Sequence, residues 1–354
     1  MVDGWSGSAE SAAEDRPGTN HSRSPKLADI AKAAGVHATT VSRALRGDTG
    51  VGRETAERVR AVARELGYLP HGAATSLRTG RSKMLGVVVP RLTDLVLATI
   101  YEGIEHGSAD AGYQTVVANS GDDIDVQQVR VDTLLGARVD GLILGDARAD
   151  SPLVGNLIKR GIPVVLTSRR LPDVLSVTCD DPLGGRLAAE HLLGLGHSQL
   201  AVIAGEPYAS TGAERTAGFL QTCERAGVDV PATHVLNSRF DVRGGRESAE
   251  QLLRLRPRPT ALFAVNDFSA IGAMGAIRDA GLRVGDDVAV VGFNDVPLAA
   301  ELPVGLTTVR SPMRQMGYRA AETLISLIGG SGGDSVRLAP QLVVRASSTG
   351  SATS

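Results

Sequence analysis

Two cysteines in 354 residues, Cys179 and Cys223, are too few for a disulfide framework and lack the paired spacing of a zinc site. That scarcity fits a reducing cytoplasm. No run of 18 apolar residues occurs, which excludes a membrane-spanning helix. Neither GxGxxG nor GxxxxGKS/T is found, so the usual phosphate cradles of dehydrogenases and kinases are missing. The seven histidines are scattered, with no credible nucleophile and base among them. No catalytic residue, metal ligand or cofactor is therefore expected, and the chain does not read as an enzyme. Residues 1–24, MVDGWSGSAESAAEDRPGTNHSRS, have no apolar core that could serve as an export signal. They are polar, Ser-rich and acidic, and read as a disordered extension.

What the chain does contain is concentrated at residues 26–82, KLADIAKAAGVHATTVSRALRGDTGVGRETAERVRAVARELGYLPHGAATSLRTGRS. Leu27, Ile30, Ala31 and Ala34 recur at helical offsets, Gly35 permits a tight turn, and Val36 re-enters the core. On the next helix Val41, Ala44 and Leu45 supply the buried face, which leaves His37, Ala38, Thr39, Thr40, Ser42 and Arg43 near its N-terminus free to enter a major groove. Threonine offers a hydroxyl and a methyl to base edges, and arginine can fork onto guanine or hold a phosphate. A third helix over about 53–66 buries Ala56, Val59, Val62, Ala63 and Leu66 and closes the unit. Between residues 22 and 83 there are twelve Lys or Arg against five Asp or Glu, about +7, whereas residues 84–354 come to about −6. The near-neutral total hides a basic head on an acidic body, the charge pattern of a nucleic-acid reader. The bare helical pattern also suits two packed helices of a larger helical domain; the charge asymmetry and the basic linker argue against that.

From Met84 onward β-branched runs alternate with helical stretches. LGVVV (85–89), QTVVA (114–118), GLIL (141–144), PVVL (163–166), LAVIA (200–204), ALFAV (261–265) and VAVVG (288–292) read as strands. Residues 99–111, 183–195, 214–226 and 269–280 read as helices between them. This alternation predicts parallel sheets covered by helices.

The phrases LADIAKAAGVHATTVSRAL, LGYLP and AATSLRTGRS resemble the DNA-binding head and hinge of the LacI/GalR family of transcriptional regulators, and VDGLIL, HLLGLGH, AGEP, RTAGF, NDFSAIGAM and VAVVGFNDVPLA resemble its body. The resemblance covers about residues 26–346. It implies an all-α helix-turn-helix head and an α/β, two-lobed body of parallel, doubly wound sheets, like a periplasmic binding protein. The expected divisions are a head at 25–70, a hinge helix at 71–83 and an effector-binding and dimerisation body at 84–346. Its first lobe would take 84–181 and 311–332, its second 182–310 and 333–346, with 347–354 as a tail. Carried over position by position, Ala38 and Thr39 fall on the main specificity positions, and Arg43 matches a common arginine of the same helix. Ala74, Leu77 and Arg78 fall on the hinge helix, where Leu77 is expected to wedge into the minor groove. Gly52 stands where a capping Ser is usual, and His71 where Asn is common.

The same resemblance implies an effector site at Asp94, Val96, Leu97, Ser168, Arg169, Arg215, Phe240, Asn266, Phe268 and Asn294. Val96 and Leu97 replace a common aromatic pair, and Ser168 and Asn294 each replace a common Asp. Loss of two carboxylates beside two retained arginines predicts a more positive pocket and an effector less sugar-like than the family's usual one, a small anionic or hydroxylated metabolite; a sugar remains the alternative if other positions compensate. The implied protein is a cytoplasmic, nucleoid-associated homodimer that binds a palindromic DNA operator as a repressor under control of a small-molecule effector, without membrane contact. No leucine heptads follow Arg345, so no tetramerising helix is expected.

Overall fold

Apolar spacing and one left-handed glycine shape the N-terminal unit. Helix α1 (Leu27–Ala34) ends at Gly35, whose φ of 65° a Cβ-bearing residue would resist, and the Val36 N–H returns to the Ala31 carbonyl at 3.1 Å. Helices α2 (Ala38–Arg46) and α3 (Arg53–Glu65) follow. Ile30, Ala34, Val41, Ala44, Ala56, Val59 and Ala63 form their shared core. Gly52 caps α3 without a side-chain bond, and the helix persists as a glycine cap allows. Leu66, expected in the core, is the C-cap of α3 and is 41% exposed.

The computed structural model describes residues 25–46, 48–68 and 81–350, and the chain divides into units 1–78 and 79–354. The hinge positions Ala74, Leu77 and Arg78, and His71 before them, lie outside the described residues.

The second unit contains two six-stranded sheets. In the first lobe β1 (Met84–Val89), β2 (Gln114–Asn119), β3 (Gly141–Leu144), β4 (Val164–Thr167), β5 (Ser176–Cys179) and β11 (Val336–Leu338) lie in the order β11-β5-β4-β3-β1-β2, all parallel. In the second, β6 (Leu200–Ala204), β7 (Val235–Asn237), β8 (Ala261–Ala264), β9 (Ala289–Asn294), β10 (Thr307–Arg310) and β12 (Gln341–Val343) lie in the order β12-β10-β9-β8-β6-β7. Here only β12 runs antiparallel, against β10. Near-continuous Val, Ile and Leu in these strands reflects burial on both faces beneath covering helices. The strands that alternation did not disclose, β5, β7 and β10 to β12, are only three or four residues long, and β5, β10 and β11 carry Ser, Thr or Arg.

The helices of the first lobe are α4 (Leu95–Asp110), α5 (Ile124–Gly136), α6 (Leu153–Lys159) and, from later in the chain, α12 (Met313–Ile328). Those of the second are α7 (Asp181–Gly194), α8 (Ser210–Arg225), α9 (Val242–Leu253), α10 (Asp267–Asp279), α11 (Leu298–Glu301) and α13 (Ala346–Thr349). No helix among the described residues is long and apolar enough to cross a membrane.

The chain passes between lobes after Cys179, after Arg310, and between Leu338 and Gln341. The third passage lies later than the position near 333 that the resemblance implied, because β11 joins the first sheet beside β5. Residues 347–350 are likewise part of the fold, not a tail. Ser347 accepts the Thr307 N–H at 2.8 Å and donates to the Val290 carbonyl at 2.7 Å, while the Ser348 hydroxyl meets His191 Nε2 at 2.8 Å.

Candidate functional site

On the head, the positions expected to meet DNA lie at the N-terminus of α2. His37 precedes the helix: its carbonyl accepts the Thr40 and Val41 N–H groups, and its Nδ1 lies 2.9 Å from the Thr39 hydroxyl. His37, Thr39 and Arg43 are exposed, and Ala38, Thr40 and Ser42 are half-buried on the same helix, opposite buried Val41 and Ala44. Arg43 and Arg46 share the loop carboxylate of Asp48 at 3.9 and 3.6 Å. Pairs this exposed hold their partners weakly, so Arg43 can be given up to a phosphate or a base.

In the body, a cavity of about 210 Å³ lies between the lobes and is lined from the carboxyl ends of strands in both sheets. Pro90 and Arg91 follow β1, Gly121 and Asp122 follow β2, Gly145 follows β3, and Ser168 and Arg169 follow β4. From the second lobe come Glu206 and Tyr208 after β6, Arg239 and Phe240 after β7, Asn266 after β8, and Asn294 at the end of β9. Open α/β sheets present ligand crevices at this edge, where helix N-termini and loop backbone gather.

Of the residues expected there, Asp94, Val96, Leu97, Ser168, Arg169, Arg215, Phe240, Asn266 and Asn294 line the cavity; Phe268 does not. Phe268 is half-buried in the first turn of α10, whose N-cap, Asn266, takes the cavity-facing position instead. Arg91, Asp122, Glu206, Tyr208, Thr211 and Arg239 line it without having been foreseen. Asp122 and Glu206 sit three and two residues past the ends of β2 and β6, the positional signal that could have found them; Arg239 follows β7, which the sequence did not disclose.

Several of these groups are already engaged. The Asp94 carboxylate accepts the Val96 N–H at 2.9 Å as the N-cap of α4, and burial pushes its carboxyl above the ordinary range. Asn266 caps α10 through the Ser269 N–H at 2.9 Å and donates its amide to the Phe240 carbonyl at 3.1 Å. The Phe240 ring packs on Gly205, where a Cβ would collide with it.

The two arginines expected there are both engaged by carboxylates, while Arg91 and Arg239 line the same cavity. Arg215 Nε donates to Asp181 at 2.7 Å and Nη1 to the Val265 carbonyl at 2.8 Å, with its guanidinium 3.7 Å from the Phe293 ring centre. Burial, only partly offset by Arg215, pushes the Asp181 carboxyl up to about 6. Arg169 forks onto both oxygens of Asp122 at 2.7 Å. Burial raises the Asp122 carboxyl, but the Arg169 fork, the Tyr208 hydroxyl and Arg148 outweigh it, and the net shift is downward. Asn294 differs: its backbone is held at a φ of 108°, and its buried Oδ1 has no hydrogen-bond partner. A buried acceptor without a partner is costly, and here it borders the cavity.

A helical head with an exposed reading helix and a two-lobed body enclosing a small cleft together define a DNA-binding regulator with a small-molecule site. Residues 26–71 match the family of bacterial regulatory proteins of the lacI type, and residues 189–348 match a periplasmic binding protein-like domain. The chain is 32% identical over 330 residues to the HTH-type transcriptional regulator DegA of Bacillus subtilis (strain 168), covering 91% of this chain and 97% of DegA. Among solved structures it is similar to the lac repressor dimer bound to operator and the anti-inducer ONPF, with TM-score 0.83, 29% identity and coverage of 92% and 99% of the two chains. It is also similar to the regulator CelR in complex with cellobiose, with TM-score 0.71, 32% identity and coverage of 91% and 99%. The chain belongs to the LacI family and is a DNA-binding transcriptional regulator with an effector-binding body.

Proposed function

We propose that this regulator acts in the cytoplasm as a homodimeric repressor, reads a palindromic operator through Ala38, Thr39 and Arg43, and responds to a neutral, polyhydroxylated small molecule held between its lobes. The unpartnered Oδ1 of Asn294 carries the ligand reading: it calls for a donor, such as a hydroxyl, on whatever fills the cleft. The engagement of Arg169 with Asp122 and of Arg215 with Asp181 argues against an anionic ligand, which would have to displace a carboxylate from one of them. The sugar in the CelR complex and the operator in the lac repressor complex support the same reading. Nothing in it requires catalysis.

Selection of random duplexes by the purified chain at about physiological salt is expected to return a two-fold symmetric sequence. Calorimetric titration with neutral monosaccharides and their matched sugar acids then tests the cleft. Binding among the neutral compounds that is lost in Asn294→Leu, with operator binding retained, supports the assignment. Binding confined to the acids overturns it.

A further inference from the structure

The cleft is bridged, at the ends of β2, β3 and β4, by a cluster whose members come from both lobes. Tyr208 belongs to the second lobe, four residues past β6. The first lobe grips it at three points. Its hydroxyl donates to Asp122 Oδ2 at 3.1 Å, its carbonyl accepts the Ala149 N–H at 3.1 Å, and the Arg148 guanidinium lies over its ring, 3.4 Å from the centre.

Each gripping group is itself held. Arg148 is fixed by Asp150 through bonds of 3.0 and 2.9 Å and by the Asp122 carbonyl at 2.8 Å. Asp122 is fixed by the Arg169 fork and carries a left-handed backbone, φ 64°, which aims its carboxylate across the cleft. The Arg169 and Asp122 side chains are only 6% and 16% exposed, so salt screens this pair little. Beside the cluster, the Arg170 N–H donates to the Ser210 hydroxyl at 2.8 Å and Arg170 Nε lies 2.6 Å from Glu214 Oε1.

We propose that Tyr208, gripped by Arg148, Ala149 and the Asp122–Arg169 pair, is a latch that holds the two lobes closed before any small molecule enters the cleft. The mechanical logic is that each lobe has its own six-stranded sheet and the connection between them is three chain passages. A few well-held contacts at the cleft mouth therefore set the closed population. Closing by a tyrosine that the chain supplies makes ligand entry wait on its release.

The test uses the full chain without added small molecule. Spin labels at Ile158→Cys and Val242→Cys, exposed positions on α6 and α9, report the separation of the lobes, since the native Cys179 and Cys223 are buried. Labelled protein is mixed with excess unlabelled chain so that only distances within one chain are read. The parent is expected to give a single narrow distance, Tyr208→Ala a broader and longer distribution, and Tyr208→Phe, which keeps the stack but loses the hydroxyl, an intermediate one. Arg148→Gln, which removes the stack from the first-lobe side, is expected to shift the distribution in the same direction, and it serves if Tyr208→Ala does not fold. A parent distribution already broad, or folded variants with the parent's distance, overturns the latch. Since no effector is needed, failure here leaves the small-molecule reading of the cleft standing.

Discussion

Asp267 is the first residue of α10 and has no exposed surface. One carboxylate oxygen accepts the Val296 N–H at 2.8 Å and the other the Thr308 hydroxyl, which ties α10 to the β9–α11 loop and to β10. Burial, with neighbouring Asp295 adding to it, pushes this carboxyl up to about 7. Between its ordinary value of 3.8 and about 7 the folded chain holds a proton that the unfolded chain has released. The stability from Asp267 is thus complete below the ordinary value and is lost as pH rises through 7. Asp122, held low, has the opposite sign: its contribution is present at neutral pH and lost as pH falls below the ordinary carboxylate value. Asp267→Asn keeps one acceptor and costs about 1–3 kcal/mol at pH 5. The Tm gap between wild type and this variant is expected to narrow from pH 5 to pH 8 as the wild type alone loses stability; a constant gap would show that Asp267 does not titrate there. Of the cleft residues, those next to motifs, such as Asn294 in GFND and Arg215 in ERTAGF, were legible in the sequence. Tyr208 was not, and neither was its pairing with Asp122, because what assembles them is contact across the two lobes between residues 86 positions apart.

At the scale of elements, three helix pairs cross through glycine: α4 with α12, α7 with α8, and α9 with α10. In each, both partners contribute one. A Cβ on Gly103 would collide with the Arg314 carbonyl and one on Gly317 with the Ile100 carbonyl; Gly185 and Gly218 meet the Arg215 and Pro182 carbonyls, and Gly245 and Gly272 those of Ser269 and Val242. Backbone is the obstacle in every case, so rotamer changes give no relief. Gly317→Ala is expected to cost about 1–3 kcal/mol or more through overpacking. Gly155, within α6 and with nothing near its missing Cβ, is the matched control. Gly155→Ala should stabilise by about 0.5–1 kcal/mol, since alanine is the better helix former. Thermal or denaturant unfolding of the two variants checks both signs, and equal effects would remove the packing argument. The helices themselves were legible from their apolar faces, though all four starts lay two to four residues too late, three of them where Asp94, Asp180 and Asn266 cap the helix. Their close crossings were not legible, because a glycine in a helix looks like a weak point until its neighbour is known. The short strands escaped for a similar reason: Ser176–Cys179 and Thr307–Arg310 become strands by lying beside β4 and β9, not by their own pattern.

For the whole molecule, the separation of charge between a head of about +7 and a body of about −6 bears directly on DNA binding. Lysine and arginine on phosphate release counterions, so affinity falls with salt at a slope of about 0.9 per phosphate neutralised. The acidic body adds no such contacts and disfavours unspecific attachment to DNA. A dimer presents Arg43 twice, which lets one substitution separate the two roles open to it. If Arg43 only touches phosphate, Arg43→Ala should flatten the salt slope by about 1.8 for the two copies and weaken selected and random duplexes alike. If it forks onto a guanine, binding to the selected operator should weaken by about 1–3 kcal/mol per half-site while binding to random duplexes changes far less. The second outcome is expected: among the described residues the carboxylate on Arg43 is that of exposed Asp48, at 3.9 Å, and Arg43 lies on the same helix as Thr39, one turn further from the N-terminus expected to enter the groove. Titrations of wild type and variant on both duplexes at four salt concentrations decide between them, and an unchanged slope with unchanged affinity on both would remove Arg43 from the interface altogether.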